Sequence, residues 1–186
     1  MRILLFALAL CLAACTSPEP NFYTLAPVRG AGVPGGPPLV QLRRPGLAGY
    51  LDRSDIVRTG SPYQLKLASG ERWGEPFGDM VGRVLAEDLS SRLPGSSVFT
   101  SAGAISALPD ATIEVDVQRF DADPSGQVVL LTQVAVERGR NRGSAATRTI
   151  RITVTPASGT TADLVAAMSA ALGQSADQIA AVVRGR

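Results

Sequence analysis

Apolar residues follow two different periods along the second half of this chain, and the change of period restricts the fold more than any other feature. Residues 113–118 and 150–154 alternate apolar and polar side chains, as half-buried strands do, and the first of these strands is expected to end near Phe120. A more uniformly apolar segment, residues 128–136, lies between them, with turn sequences on either side. Residues 161–183 then carry apolar side chains at helical spacing. The pattern predicts a three-stranded antiparallel meander followed by a long helix.

The first half predicts shorter strands and a second long helix. A loop rich in glycine and proline occupies residues 30–38, and residues 46–53 are expected to be irregular and partly helical. Pro76 suits a helix N-terminus, and Pro94-Gly95 would end that helix. The strands are expected at about residues 21–26, 39–42, 56–58 and 63–67, the last two as a hairpin. The predicted fold class is therefore α/β, a single domain with a mixed β-sheet packed by two long helices.

The N-terminus predicts where the protein resides. Arg2 precedes an apolar run too short to span a bilayer, and Leu12-Ala13-Ala14-Cys15 follows, a pattern similar to a bacterial lipobox. We expect residues 1–14 to be a signal peptide, residues 15–21 a lipidated N-terminus with a short tether, and residues 22–186 the folded domain. The alternative is an ordinary secreted protein in which the cysteine occurs by chance. Several acyl chains on Cys15 would give a durable anchor.

Composition excludes several kinds of chemistry. The chain has no histidine, so Ser-His-Asp and Cys-His systems and the commonest zinc sites are excluded. The acidic residues form no metal-loop pattern, and acylation of Cys15 would leave no thiol in the mature chain. The net charge of +2 gives no reason to expect a nucleic acid partner. No cofactor is expected apart from the covalent lipid.

Two sequence features could still indicate an enzyme. Lys66, the single lysine, lies in an alternating strand pattern that directs it to solvent. Residues 30–35 match the dinucleotide-binding fingerprint, but the prolines at positions 34, 37 and 38 prevent a helix from starting on the third glycine. We therefore expect neither catalysis nor nucleotide binding.

Several short motifs, in order, resemble one known family. They are Phe22-Tyr23-Thr24-Leu25, Tyr50-Leu51-Asp52-Arg53 with Ile56-Val57, and Arg72-Trp73 with Glu75-Pro76 before a helix. With the acidic strand ending at Phe120 and the alanine-rich last helix, they resemble the ABC-type transport auxiliary lipoproteins of the PqiC or YmbA type. The glycine-rich residues 45–49 and the basic residues 138–142 depart from this pattern. The resemblance covers nearly the whole mature chain.

The resemblance implies a non-enzymatic part of a lipid transport system. Members are lipid-anchored partners of MCE-domain proteins, often together with an ABC permease and ATPase, and they support envelope integrity. The implied fold is a sheet between helices, a three-layer sandwich similar to the N-terminal domain of TolB. Thr16 after the cysteine favours the outer membrane, with the domain facing the periplasm. A ring or other homo-oligomer would suit a part that surrounds a conduit.

Five residues are candidates for binding a partner: Tyr50, Asp52, Arg53, Arg72 and Trp73. Tryptophan, tyrosine and arginine are favoured in interface hot spots. A purely structural alternative stays open, in which Asp52 pairs with an arginine and Trp73 packs behind the helix that starts at Pro76.

Three arginines in a predicted turn, Arg138, Arg140 and Arg142, are candidates for contact with anionic lipid. Each would contribute about 1 kcal/mol near a charged membrane surface. The alternative is that this charged turn is merely solvated.

The sequence leaves two functions open. One is an outer-membrane subunit of an MCE-type lipid transport assembly that acts through protein contacts. The other is a lipid-binding or structural envelope lipoprotein that acts alone.

Overall fold

One long strand, β7 (Ala111–Ala122), organises the sheet of this protein. The computed structural model describes residues 19–103, 105, 107–139 and 145–185. On one side of β7, β8 (Val128–Arg138) runs antiparallel along its whole length, and β9 (Ala145–Val154) runs antiparallel to β8. The chain therefore reverses its direction between β7 and β8, through the short turn at residues 123–127, and again between β8 and β9.

The other side of β7 pairs with three short strands in turn, all parallel to it. These are β2 (Leu39–Leu42), β3 (Gly46–Leu47) and β4 (Asp55–Ser61). β2 also pairs in parallel with β6 (Ser97–Thr100). β4 forms an antiparallel hairpin with β5 (Gln64–Trp73), which pairs in parallel with β1 (Asn21–Tyr23). The described residues thus form a mixed sheet of nine strands.

Two helices cover the apolar face of this sheet. Helix α1 (Phe77–Arg92) follows Pro76, and helix α2 (Thr161–Arg184) begins where Thr160 Oγ1 accepts a hydrogen bond from the Asp163 N–H at 3.2 Å. The helices pack against each other, and α2 lies over β7, β8 and β9. Gly173 of α2 lets the extended chain at Val28 pass close to this helix, because a Cβ on Gly173 would lie 2.8 Å from the Val28 Cβ.

Most of the predicted elements are confirmed, including both helices, the β4–β5 hairpin and the single mixed α/β domain. The prediction that residues 46–53 are partly helical is wrong, because residues 46–47 form a strand that pairs with β7. Strand β6 was not predicted. Both helices lie on one face and polar side chains such as Glu114, Gln133 and Arg151 are exposed on the other. The described residues therefore form two layers rather than the implied three, and likeness to TolB stays a prediction.

An extended segment, residues 25–33, crosses both helices and is held by their side chains. The Ala26 N–H donates to Ser169 Oγ on α2 at 3.1 Å, and the Val28 N–H donates to Asp88 Oδ1 on α1 at 2.6 Å. Arg92 donates to the Val28 carbonyl at 2.8 Å and to Asp177 on α2 at 2.5 Å. These contacts give the segment backbone partners without a strand, so it connects β1 to β2 across the helical layer.

Burial raises the pKa of Asp88 to about 6, because its carboxyl group is 1% exposed and its second oxygen has no hydrogen-bond partner among the described atoms. A raised pKa means that the folded chain binds this proton more tightly than the unfolded chain. Protonation of Asp88 therefore stabilises the folded state. This stabilisation is fully present below about pH 4 and is lost as the pH rises to about 6.

Comparison with the Asp88→Asn variant isolates this effect. The free energy of unfolding of the wild type should fall by about 2 kcal/mol relative to that of the variant between pH 4 and pH 7. Urea unfolding at four pH values in this interval measures the difference, and groups that titrate identically in both proteins cancel. A difference that does not change with pH would show that Asp88 does not titrate in this way.

Candidate docking surface

The loop that carries Tyr50 is fixed to the sheet by a buried carboxylate. Asp121, near the end of β7, is fully buried and accepts hydrogen bonds from Arg119 Nε at 2.7 Å, from the Tyr50 hydroxyl at 3.5 Å and from the Thr59 hydroxyl. Thr59 belongs to β4, so this one carboxylate connects three parts of the chain. Because a buried carboxylate needs such partners, the cluster sets the path of the chain between β3 and β4.

The same environment determines the protonation of Tyr50. Burial, and secondarily the negative charge of Asp121, raise the pKa of Tyr50 to about 12. The hydroxyl therefore keeps its proton and donates a hydrogen bond to the Asp121 carboxylate. Tyr50 is half-buried and its polar end is already engaged, so its role in the structure is to hold the loop.

Trp73 lies in the core, where the structural alternative placed it. It is 5% exposed, and its ring stacks on Phe77, with 4.8 Å between the ring centroids and 19° between the planes. Its backbone N–H donates to the Ser54 carbonyl at 2.8 Å, which brings the chain before β4 next to the end of β5. A partner could reach Trp73 only after the core opened.

Arg72, unlike Tyr50 and Trp73, lies on an exposed surface, which also contains Phe22. In the sheet, Phe22 of β1 and Asp55 of β4 are both paired with Arg72 of β5, so the three side chains share one face. Asp52 and Arg53 are exposed in the loop that leads into β4. We call Phe22, Asp55 and Arg72 the β1–β5 patch. The sequence placed Phe22 in a strand but gave no sign of its exposure.

Two properties make this patch suitable for contact with another protein. Phe22 is 65% exposed, which is unusual for a large aromatic side chain. Arg72 Nε lies 3.9 Å from Asp55 Oδ1 and both side chains are partly exposed, so their ion pair is weak. An aromatic ring beside an arginine with little internal engagement is typical of an interface hot spot.

The arginine cluster is only partly described. Arg138 donates to the Val182 carbonyl near the C-terminus of α2, where a positive charge is favourable. Gly185, with φ of 89°, ends this helix. Arg138 therefore has a structural contact of its own, whereas Arg140, Arg142 and Cys15 lie outside the described residues.

Other kinds of site find little support in the described part of the chain. No group of acidic or cysteine residues there could hold a metal ion, and no helix there could cross a membrane. A groove of about 490 Å³, open to solvent, lies between α1 and β6, lined by apolar residues such as Ala86 and Val98 and by charged residues such as Arg44 and Asp79.

The comparisons with known proteins agree with this description. A family model described as the ABC-type transport auxiliary lipoprotein component matches residues 23–180. The chain belongs to this family. Membership confirms the resemblance seen in the short motifs and makes the protein an auxiliary lipoprotein of a transport system. No curated protein matches the sequence.

Solved structures support the fold. The crystal structure of an uncharacterized protein, 20% identical, aligns with a TM-score of 0.76 and covers 89% of this chain and 99% of its own. A protein from Xanthomonas campestris, also 20% identical, aligns with a TM-score of 0.70 and covers 86% of this chain and 92% of its own. At this identity the likeness concerns the fold alone.

Proposed function

We propose that this auxiliary lipoprotein is an outer-membrane subunit of an MCE-type lipid transport assembly that includes an ABC permease and ATPase. Lipid on Cys15 anchors it, and the domain faces the periplasm. It acts by contacts with other proteins, not as an enzyme, and so supports the integrity of the envelope. Family membership supports the transport role, and the lipobox-like sequence supports the anchor.

The observation that carries the proposal is the β1–β5 patch. One of its residues, Phe22, lies in β1 and follows the predicted tether directly, so the patch is near the start of the domain. A partner rooted in the inner membrane would therefore meet this patch close to the outer membrane. Whether several copies assemble into a ring stays a prediction.

Reversing the charge of Arg72 tests the patch. We expect Arg72→Glu to lower the recovery of the MCE-domain protein in affinity purification from solubilised membranes by about tenfold or more, as loss of an arginine hot spot would. The reason is that the glutamate would bring a like charge to Asp55 and repel any acidic partner group. Quantitative mass spectrometry of the purified material measures the change.

Arg151→Glu is the matched control for this variant. Arg151 is also an exposed arginine in a strand, but its strand, β9, lies at a different edge of the sheet from β1 and β5. The two variants change the net charge equally and neither disturbs the core. Equal recovery from both would mean that the patch does not bind the transporter.

A second candidate, a stand-alone lipid-binding envelope lipoprotein, has one observation in its favour, the open groove between α1 and β6, which has apolar residues in its lining. Phospholipid retained by the purified domain in native mass spectrometry, together with membranes that yield no transporter subunit, would favour it over the transport assembly.

A further inference from the structure

The β4–β5 hairpin exposes apolar side chains at its turn and along one face of β5. Tyr63 at the turn is 100% exposed, and Leu65 and Leu67 are 46% and 49% exposed. Leu65 pairs with Thr59 and Leu67 with Val57, and the intervening Lys66 is exposed as well. The alternating pattern predicted a strand with one buried side, but this end of the hairpin extends beyond the core. We call residues 62–67 the hairpin tip.

The chain direction places the N-terminal tether at the same end of the domain as the hairpin tip. β1 runs parallel to β5, with Asn21 opposite Glu71. Going back from Asn21 towards Cys15 therefore leads in the same direction as going back along β5 from Glu71 towards Tyr63. The first described residues and the hairpin tip thus lie towards the same end of the sheet.

The lengths of the two segments are similar. Cys15 precedes Asn21 by six residues, which an extended chain can span with at most ~20 Å. Tyr63 precedes Glu71 by eight residues, about 26 Å of strand before any shortening by the irregular pairing near Gly70. Measured from the Asn21–Glu71 pair, the hairpin tip therefore reaches about as far as the lipid attachment site can.

The charges of the hairpin agree with a lipid surface as its partner. Residues 58–70 contain Arg58 and Lys66 and no acidic residue. A tyrosine beside leucines, with a lysine that can extend to the head groups, is the composition that favours the interface of a bilayer. Leu108, another exposed apolar residue, precedes β7 and lies at the opposite end of the sheet, because β4 pairs with the last residue of β7.

We infer that the hairpin tip contacts the membrane that holds the lipid anchor, and that Tyr63, Leu65 and Leu67 insert into its surface. With the anchor, this second contact fixes the orientation of the domain and directs the rest of the sheet towards the periplasm. The inference rests on the proposed lipidation of Cys15 and adds to it the surface that faces the membrane.

A fluorescent probe at the tip tests the contact. The mature chain predicted here has no cysteine besides Cys15, so Leu65→Cys provides a single free thiol for an environment-sensitive dye. The full-length lipoprotein is reconstituted into vesicles of phosphatidylethanolamine and phosphatidylglycerol that contain a lipid-bound quencher. We expect the dye at position 65 to be quenched at least threefold more strongly than the same dye on Leu108→Cys.

The outcomes separate this inference from the proposed anchor. Flotation of the unlabelled wild type with the vesicles shows whether the anchor holds. If the protein floats but the dyes at positions 65 and 108 are quenched equally, the hairpin does not contact the membrane and only this inference is overturned. If the protein does not float, the anchor itself is wrong. Both replaced leucines are exposed, so loss of folding does not enter the comparison.

Discussion

Replacing Cys15 with alanine should move nearly all of the protein from the membrane fraction to the soluble periplasmic fraction. Each buried methylene of an acyl chain contributes about 0.8 kcal/mol, and only several chains together give a durable anchor. No helix among the described residues could replace them. The variant is best expressed behind a conventional cleavable leader in place of residues 1–14, so that an uncleaved leader cannot itself hold the chain. Ultracentrifugation and immunoblotting give the distribution.

The second cysteine provides the control. Cys11 lies in the predicted leader, so Cys11→Ala with the native leader should leave the mature protein unchanged and fully membrane-bound. Retention of the Cys15→Ala protein in membranes after a high-salt wash would contradict the anchor.

Asp121→Asn should lower the free energy of unfolding by about 3 kcal/mol, the usual cost of removing one partner of a buried ion pair. The amide would keep one acceptor but would leave the Arg119 guanidinium, already incompletely paired, without a negative charge. Thr59 and Tyr50 would lose part of their shared acceptor, and the loop from β3 to β4 would loosen. Urea unfolding of the soluble Cys15→Ala chain measures the effect.

Asp116→Asn on the same strand is the matched control. Asp116 is exposed on the polar face of β7, so its replacement should change stability by no more than about 0.5 kcal/mol. If the two variants lose similar stability, Asp121 does not hold the loop as described.

The sequence predicted the parts of the fold that depend on local periodicity. Strands β7, β8 and β9 and both helices have long apolar patterns, and each pattern reports which face is buried. Strand β6 has only four residues, and its pairing with β2 joins segments more than fifty residues apart, so no local pattern could reveal it. The short strand β3 was missed for the same reason.

The candidate surface was only partly predictable. Residue type selected Tyr50, Arg72 and Trp73, but tyrosine and tryptophan serve cores as well as interfaces, and only the packing on Phe77 separates the two roles for Trp73. The exposure of Phe22 and Leu65 depends on whether a helix covers their part of the sheet. That is decided by distant residues, which alternation along a strand does not report.

The most direct test of the central claim is affinity purification of the tagged, lipidated protein from its own membranes after mild cross-linking, with the recovered proteins identified by mass spectrometry. We expect an MCE-domain protein to be enriched together with an ABC permease and ATPase, and to be lost with Arg72→Glu but not with Arg151→Glu. Recovery of the lipoprotein without any component of such a transporter would contradict the proposed function.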